Sequence, residues 1–198
     1  MKISDGIEML ELPMNIMGRE SSVYPTLMWD DNTVILVDAG TPNSLPKIKK
    51  AMGDAGVPFE SLNKIIVTHQ DIDNIGGIQC ILDELEEVQV LAHEEDKPYI
   101  QGKKKLVRLN SNFMTRINAL TEEEWEKVLD MFENVSVEVN KTLTDMEELA
   151  CCGGIIVIHT TGHTPEHLCL YHKTSKTLIA GDAITSLMNS LLGRTNKF

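Results

Sequence analysis

Thr68-His69-Gln70-Asp71-Ile72-Asp73-Asn74 is the most informative segment of this chain. It directly follows the apolar run Lys-Ile-Ile-Val at residues 64–67, which has the length and composition of a buried β-strand. In an extended loop, alternate positions project in similar directions, so His69, Asp71 and Asp73 are expected to face one centre. An imidazole and two carboxylates are donors that divalent transition metals accept in proteins. The segment therefore predicts a metal site at the end of a strand.

Two later segments place side chains that can bind metal in the same position relative to an apolar run. Thr161-Gly162-His163-Thr164-Pro165-Glu166-His167 follows the run at residues 155–159, and Gly181-Asp182 follows the run at residues 177–180. A single histidine or aspartate at a strand end is most often a surface residue or a cap. Three such segments, each with a small or glycine neighbour, instead favour one common site.

These segments, in this order, resemble the metallo-β-lactamase superfamily, which includes glyoxalase II-like hydrolases and lactonases. The marker loop of that family is H-x-H-x-D-H, followed by a G-H-[TS]-P-G-H segment and a G-D segment. An earlier family strand ends in D-x-G, which Asp38-Ala39-Gly40 matches here. Each motif alone is weak, but four of them in the family order, up to Asp182, make a specific signal. The resemblance implies an α/β fold, an αββα sandwich, with the metals at the edge between its two sheets.

The resemblance also implies a set of ligands for a first metal. His69 and His163 match its histidine ligands, and Asp182 matches the carboxylate that bridges both metals of the family. Asp71 stands where the family has a second loop histidine, and replacing an imidazole by a carboxylate hardens the site. We therefore expect one well-occupied divalent transition metal, with zinc as the first choice and iron or manganese as alternatives.

The second metal position of the family is depleted in this sequence. Asp73 matches its aspartate ligand, but Asn74 stands where the last histidine of the loop would be. The final histidine of the family has no counterpart, because no histidine follows His172. A neutral amide is a weak ligand for zinc, so the second metal is expected to be weak or absent. Glu166 is a further departure, since the family usually has glycine there.

Side chains next to the ligands are expected to position them rather than to bind the metal. Asp38 is expected to orient the loop backbone or a ligand histidine. Thr68 is a natural hydrogen-bond donor to a loop carboxylate. His167 matches a family position that is usually not a ligand.

The resemblance implies a metal-dependent hydrolase that cleaves a small ester, thioester or lactone with a metal-activated water. Asp73, released from a second metal, is the expected general base. The alternative is a catalytically impaired scaffold of the same fold with a binding or regulatory role, which Asn74 and the missing final histidine favour. The five candidate metal ligands that the sequence retains favour the hypothesis of an active enzyme. Redox chemistry at a carboxylate-rich iron site is a third hypothesis, against which the lack of a flavodoxin-like second domain counts.

The composition is typical of a soluble protein with a single domain over residues 1–198. Hydrophobic residues make up 42% of the chain, and the formal net charge is −12. Such a surface repels phosphate backbones, so the expected partner is a small-molecule substrate and not nucleic acid. No apolar run is long enough to span a bilayer, and Asp5 and Glu8 lie where a signal peptide would be apolar, which predicts a cytoplasmic protein.

The cysteines form no CxxC pair, so a zinc ribbon is not indicated. They are expected to be reduced thiols that pack as small hydrophobic side chains. They are Cys80, Cys151, Cys152 and Cys169.

Apolar periodicity predicts strands that alternate with helices. The expected strands lie at residues 7–12, 25–29, 33–37, 64–67, 88–92, 135–139, 155–159, 168–172 and 177–180. Residues 94–133 are charged and helical in pattern, with Thr121 and Glu124 as a capping box, and are expected to form a helical cap over the core. Residues 184–192 are expected to form a last amphipathic helix.

The sequence stops at Phe198, soon after the G-D segment. The family continues there with a further helix and strand, so we expect the sandwich to lack its last helix–strand block. Three explanations stay open: a naturally shortened member, a truncated or cleaved product, or a fold that a second copy completes as a homodimer.

Overall fold

The computed structural model describes residues 1–16, 19–106, 136–187 and 190–192. Its strands, in chain order, are β1 (Lys2–Ser4), β2 (Ile7–Met9), β3 (Leu12–Ile16), β4 (Arg19–Val23), β5 (Thr26–Trp29), β6 (Val34–Val37), β7 (Lys64–Ile66), β8 (Gln89–His93), β9 (Lys141–Leu143), β10 (Glu148–Leu149), β11 (Ile155–His159), β12 (Leu168–His172), β13 (Thr177–Ile179), β14 (Thr185–Leu187) and β15 (Ser190–Leu192). Its helices are α1 (Leu45–Asp54), α2 (Ile72–Ile75), α3 (Ile78–Leu82) and α4 (Lys97–Ile100), with 3₁₀ turns at Phe59–Ser61 and Gly181–Ala183.

Two sheets form the centre of the fold. The larger sheet has the strand order β1-β2-β5-β6-β7-β8-β9, with antiparallel pairing from β1 to β6 and parallel pairing from β6 to β9. The smaller sheet has the order β10-β11-β12-β13 and is antiparallel throughout. Strands β3 and β4 form a hairpin that the sequence patterns did not predict.

The central strands of the larger sheet are buried on both faces, which explains their uninterrupted apolar sequences. On β6, Leu36 packs in one cluster with Ile48 and Met52 of α1. The neighbouring Ile35 packs in a second cluster with Val157 of β11. Alternate side chains of a single strand therefore enter opposite layers, one helical and one formed by the smaller sheet. The predicted α/β sandwich is confirmed.

This topology gathers several loops at one edge of the sandwich. Strands β6, β7 and β8 run parallel, so the segments that follow them leave the sheet at the same edge. The smaller sheet is joined to this edge by a backbone hydrogen bond of 2.8 Å, which the Leu168 amide donates to the Thr68 carbonyl. The loop between β11 and β12 therefore lies beside the loop that follows β7.

The strand predicted at residues 135–139 is wrong for the part that the structure describes. Residues 136–140 form no strand, and the sheet pairing begins with β9. Val137 instead donates a backbone hydrogen bond of 3.0 Å to Ile100, at the end of α4. The Asn140 side chain accepts a hydrogen bond of 2.7 Å from the Val90 amide. These individual hydrogen bonds thus replace the regular hydrogen bonding of a β-sheet at residues 136–140. Val137 is still buried in the core, as expected for an apolar side chain.

The last amphipathic helix, predicted at residues 184–192, is also wrong. The described residues in this range form β14 and β15, which pair antiparallel with Thr185 opposite Leu192. In so short a segment, the apolar positions fit the period of a helix and that of a strand equally well. The hairpin pairs the backbone N–H and C=O groups of the two strands with each other.

The predicted helical cap at residues 94–133 falls mostly on residues 107–133, which lie outside the described residues together with Thr121 and Glu124. Its described beginning contains the short helix α4. In the described ranges, no helix has both the length and the apolar character needed to cross a lipid bilayer.

Candidate metal centre

Four donor side chains converge where the loops of the two sheets meet. His69 and Asp71 follow β7, His163 lies between β11 and β12, and Asp182 lies in the turn after β13. One ligand atom from each of these residues lies within 4.8 Å of the other three. The structure therefore brings together four of the five residues that the sequence suggested as metal ligands.

The spacing of these donors suits a single ion. His163 Nε2 lies 3.1 Å from Asp71 Oδ2 and 3.2 Å from Asp182 Oδ2. His69 Nε2 lies 3.4 Å from Asp71 Oδ2 and 4.0 Å from Asp182 Oδ2. Atoms that bind one zinc ion at 2.0–2.2 Å are separated from one another by about 3–3.5 Å. Small movements would thus place all four donors around one metal.

His69 is prepared for metal binding by the residue before it. Thr68 Oγ1 donates a hydrogen bond of 2.8 Å to Asp38 Oδ2, which uses the only proton of the hydroxyl. The same oxygen lies 3.0 Å from His69 Nδ1, so it accepts the proton that Nδ1 carries. The imidazole is thereby fixed in the tautomer that leaves a lone pair on Nε2.

The Nε2 atom of His69 is the observation that points most directly to a metal. The side chain is fully buried, and within the described residues Nε2 makes no hydrogen bond of good geometry. An unpartnered nitrogen is costly in a buried position unless something else binds to it. A divalent cation held with Asp71, His163 and Asp182 meets that need, and the donor set therefore fits one.

Asp38 occupies the position that the sequence assigned to it. Its Oδ1 accepts a hydrogen bond of 2.8 Å from the Thr68 amide, so the carboxylate orients both the backbone and the side chain of the loop. The residue has a left-handed φ of 62°, a conformation that is uncommon outside glycine but that aspartate adopts more readily than most residues. Burial raises the pKa of Asp38 to about 6.

His167 positions Asp182 from the other side of the site. The Asp182 amide donates a hydrogen bond of 3.0 Å to His167 Nε2, and His167 Nδ1 lies 2.8 Å from Thr160 Oγ1. Since Nε2 accepts, Nδ1 carries the proton and donates it to Thr160. Burial is the main reason why the pKa of His167 falls to about 3, so this acceptor stays neutral. Gly181 permits the approach, because a Cβ atom there would lie 2.7 Å from His167 Nε2.

Asp73 lies outside the group of four donors. Asp71 is the residue before α2, which begins at Ile72, so Asp73 is in the first helical turn. The extended alternation that would have aimed Asp71 and Asp73 at one centre is therefore lost. The assignment of Asp73 as a ligand or a base stays a prediction. Burial, followed by repulsion from the charges of Asp71 and Asp182, raises the pKa of Asp73, which places it in the electrostatic field of the site.

Asn74 uses its amide within the protein. Its Nδ2 donates a hydrogen bond of 3.3 Å to Thr68 Oγ1, so the side chain is directed toward the pair that positions His69. Asn74 and Asp73 both line a cavity of about 510 Å³ that also reaches Asp182. The cavity thus borders the two residues that the resemblance matches to ligands of a second metal.

The charges of the site are strongly interdependent. Burial alone would lower the pKa of His69, but the neighbouring Asp71 carboxylate and the charges of Asp38 and Asp182 raise it above the ordinary value for histidine. An excess of carboxylates thus favours a positive charge at this position. Bound metal supplies such a charge at the same place.

The sequence patterns missed a buried pair next to the ligands. Gln70 Nε2 donates a hydrogen bond of 2.8 Å to Asp96 Oδ1, and Asp96 is only 1% exposed. Burial raises the pKa of Asp96 to about 7. Asp96 follows β8, the next parallel strand along the same edge as β7. The rule that functional residues follow parallel strands could have identified it, although its sequence neighbours Glu94 and Glu95 make it look like an ordinary surface acid.

Comparisons with known proteins agree with this site and fold. The model of the metallo-beta-lactamase superfamily matches residues 18–194. The probable metallo-hydrolase YflN of Bacillus subtilis (strain 168) is 28% identical over 162 residues, which cover 80% of this chain and 58% of that protein.

Solved structures show the same fold. A metallo-beta-lactamase family protein from Thermus thermophilus superposes with a TM-score of 0.70 at 23% identity, covering 96% of this chain and 62% of that one. The native FEZ-1 metallo-beta-lactamase from Legionella gormanii gives a TM-score of 0.66 at 16% identity, covering 96% of this chain and 65% of that one. The chain spans less than two thirds of each of these proteins. Because the family model matches most of the length of this chain, the chain belongs to the metallo-beta-lactamase superfamily.

Proposed function

We propose that this chain is part of a metal-dependent hydrolase that cleaves a small ester, thioester or lactone. The observation that carries the proposal is the buried Nε2 of His69, which makes no hydrogen bond of good geometry within the described residues and lies among Asp71, His163 and Asp182. Burying a polar nitrogen without a hydrogen bond costs free energy. A site that no longer bound a metal would have no physical reason to keep this arrangement. The relatives named as probable metallo-hydrolases support the same class of chemistry.

The proposed cofactor is one divalent transition metal, with zinc favoured over iron or manganese. Two imidazoles and two carboxylates are an ordinary donor set for zinc, and the carboxylates also suit the harder metals. A second metal would be weak or absent. Asp73 lies outside the group of four donors, and the Asn74 amide is occupied with Thr68.

When bound, the metal would lower the pKa of a water toward neutrality and polarise the carbonyl of the substrate. The residues of the chain would supply the rest of the chemistry. Asp73 would accept the water proton on a carboxylate oxygen, since it borders the cavity beside Asp182 without belonging to the group of four. His69 and His163 would act as fixed nitrogen donors to the metal.

The alternative is a scaffold of the same fold that has lost catalysis and serves in binding or regulation. The hydrogen bond from Asn74 to Thr68 favours it, because the residue at the family's last loop histidine is here used to support the structure. The two proposals differ in whether turnover accompanies the metal.

The deciding experiment is elemental analysis of the protein purified without added metal, paired with turnover assays on ester, thioester and lactone substrates. About one metal per chain with turnover is the expected result. Near two metals per chain would contradict the ligand assignment, and absence of turnover at full metal occupancy would favour the scaffold. The matched pair of variants is Asp71→Asn, which should lose the metal, and Asp83→Asn at the end of α3, which should keep it.

A further inference from the structure

His167 and Cys169 present their side chains to the same face of the smaller sheet. His167 directly precedes β12 and Cys169 is the second residue of that strand, and alternate residues of a strand share a face. Thr160, which follows β11, donates a backbone hydrogen bond of 2.8 Å to the His167 carbonyl and so continues the pairing of the two strands. Residues paired across two strands also share a face, so an imidazole, a thiol and a hydroxyl come together.

The direction of each hydrogen bond among these groups follows from the chemistry of its two ends. The Asp182 amide can only donate, so His167 Nε2 accepts over 3.0 Å, and Nδ1 gives its proton to Thr160 Oγ1 at 2.8 Å. The Thr160 hydroxyl still has its own proton to donate, and Cys169 Sγ lies 3.2 Å away. The His167 carbonyl lies 3.4 Å from the same hydroxyl, which is long for a bond between two oxygens. The sulfur is therefore the better acceptor.

The Cys169 thiol connects these side chains to the backbone. It donates a hydrogen bond of 3.4 Å to the Ala180 carbonyl, which can only accept. Burial raises the pKa of the thiol, so it keeps the proton that this bond requires. The Ala180 carbonyl also accepts a hydrogen bond of 3.1 Å from the Ala183 amide, and the thiol binds its second lone pair. Cys169 thus acts both as an acceptor and as a donor.

Together these bonds form a hydrogen-bonded circuit that begins at the Asp182 amide and ends at the Ala180 carbonyl. The circuit therefore holds the backbone on both sides of Gly181. Gly181 has a left-handed φ of 49°, and a Cβ atom there would lie 2.7 Å from His167 Nε2, so the turn packs directly on the imidazole. His167 and Cys169 are buried, where water competes little for their hydrogen bonds.

Asp182 needs such support more than the other three donors of the candidate metal centre do. Its side chain is 42% exposed, whereas the side chains of Asp71 and His163 are 9% exposed and that of His69 is fully buried. Packing against neighbouring atoms holds the three buried donors in place. An exposed carboxylate lacks most of that packing, so its position depends on the backbone that carries it.

We propose that Thr160 and Cys169 are positioning residues that fix Asp182 in the metal centre through this circuit. The proposal rests on the proposed function, because Asp182 is one of the ligands assigned there. Neighbouring hydrogen bonds in a buried chain polarise one another, so the loss of one member weakens the rest. Cys169 thus serves the site through its thiol, beyond the space that it fills in the sheet.

The first test is a double-mutant cycle in zinc affinity, measured by competition with a chelator. Cys169→Ala and Thr160→Val each interrupt the circuit and should each weaken zinc binding by about tenfold, the lower end of the effect of groups that support a ligand. The double variant should bind zinc only slightly more weakly than either single variant, because an interrupted circuit has little left to lose. Cys169→Ser keeps a donor and an acceptor and should restore most of the affinity.

Cys152→Ala is the matched control for the loss of a buried thiol. The Cys152 thiol also donates to a backbone carbonyl, that of Thr33 at 3.7 Å, but Cys152 precedes β11, whereas Thr160 follows it. Its replacement should leave zinc affinity unchanged. Equal losses in Cys152→Ala and Cys169→Ala would overturn the proposal, and so would full additivity of Cys169→Ala with Thr160→Val.

Hydrogen exchange of the Asp182 amide in the metal-free protein separates this proposal from the proposed function. Cys169→Ala and Thr160→Val should each speed that exchange by roughly 2- to 10-fold, the effect of one hydrogen bond, whereas Cys152→Ala should not. If the unaltered protein binds no zinc, the proposed function fails and the exchange rates still decide the role of the circuit. Unchanged exchange in both circuit variants would overturn the proposal even if zinc binds. Thr160→Val carries the exchange test alone if Cys169→Ala fails to fold.

Discussion

The hydroxyl of Thr68 lies 3.0 Å from Nδ1 of His69, and this contact sets the chemical state of the ligand nitrogen on the opposite side of the ring. The hydroxyl has already given its proton to Asp38. It can therefore only accept from the imidazole, and Nε2 is left with a free lone pair. The relay from Asp38 through Thr68 to His69 prepares the site before any metal arrives.

Thr68→Val should weaken metal binding by about 10- to 100-fold, the usual effect of losing a group that orients a ligand histidine. The substitution keeps the shape of a fully buried side chain and removes only its hydrogen bonds. Metal affinity would be measured by competition with a chelator, and Thr68→Ser should restore most of it.

Thr164→Val is the matched control for that variant. Thr164 is also buried, next to His163, but within the described residues its hydroxyl has no hydrogen-bond partner. Its replacement should leave metal affinity unchanged. Equal losses in both variants would show that packing, and not the relay, is responsible.

Asp73→Asn should lower kcat by roughly 10²- to 10⁴-fold if Asp73 is the general base, because proton transfer by a positioned side chain contributes that much. The metal content should stay the same, since Asp73 lies outside the group of four donors. Steady-state kinetics and elemental analysis on the same preparation would test both statements. Unchanged turnover at unchanged metal content would remove Asp73 from the mechanism.

Gly181→Ala should destabilise the protein by roughly 1–3 kcal/mol and weaken metal binding. The added methyl group would lie 2.7 Å from His167 Nε2, where it breaks the bond that holds the Asp182 amide. Urea unfolding and chelator competition would measure the two effects. Gly56→Ala separates the causes, because Gly56 has a positive φ of 77° but no neighbouring atom within 4 Å. It should lose stability and keep the metal.

Asp96→Asn should flatten the dependence of stability on pH. Burial raises the pKa of Asp96 to about 7, so the folded state holds a proton that the unfolded chain has released. This contribution to stability is fully present below the unfolded pKa of about 3.9 and is lost as pH rises through about 7. The loss amounts to at most about 4 kcal/mol, at 1.36 kcal/mol per unit of pKa.

The measurement is the melting temperature between pH 4 and pH 8. The unaltered protein should lose stability over this window more steeply than the Asp96→Asn variant. Asp54→Asn, at an exposed position on α1, should follow the unaltered protein. Parallel curves for the Asp96→Asn variant and the unaltered protein would show that Asp96 is ionised at little cost.

Much of the fold could be predicted from local patterns because the core strands are covered on both faces. The runs at residues 155–159 and 168–172 coincide with β11 and β12, and the run at residues 64–67 differs from β7 by one residue. The predicted helix at residues 184–192 was wrong because the segment is too short for its period to be distinctive. There, cross-strand pairing decided the structure.

The sequence by itself determined which residues can carry the chemistry. The order of His69, Asp71, His163 and Asp182, each after an apolar run, is a property of the chain. It also determined that an amide, Asn74, stands where the family motif has an imidazole, whatever the fold.

Only the tertiary structure decided which of these side chains meet. Asp71 and Asp73 looked equivalent by alternation, yet α2 begins between them and Asp73 lies outside the group of four donors. Cys152 looked like a small hydrophobic residue, yet hydrogen bonds to Asp30 and from His172 hold it at a left-handed φ of 49°. In both places the outcome depends on backbone dihedral angles that distant contacts impose, and no local sequence pattern encodes those angles.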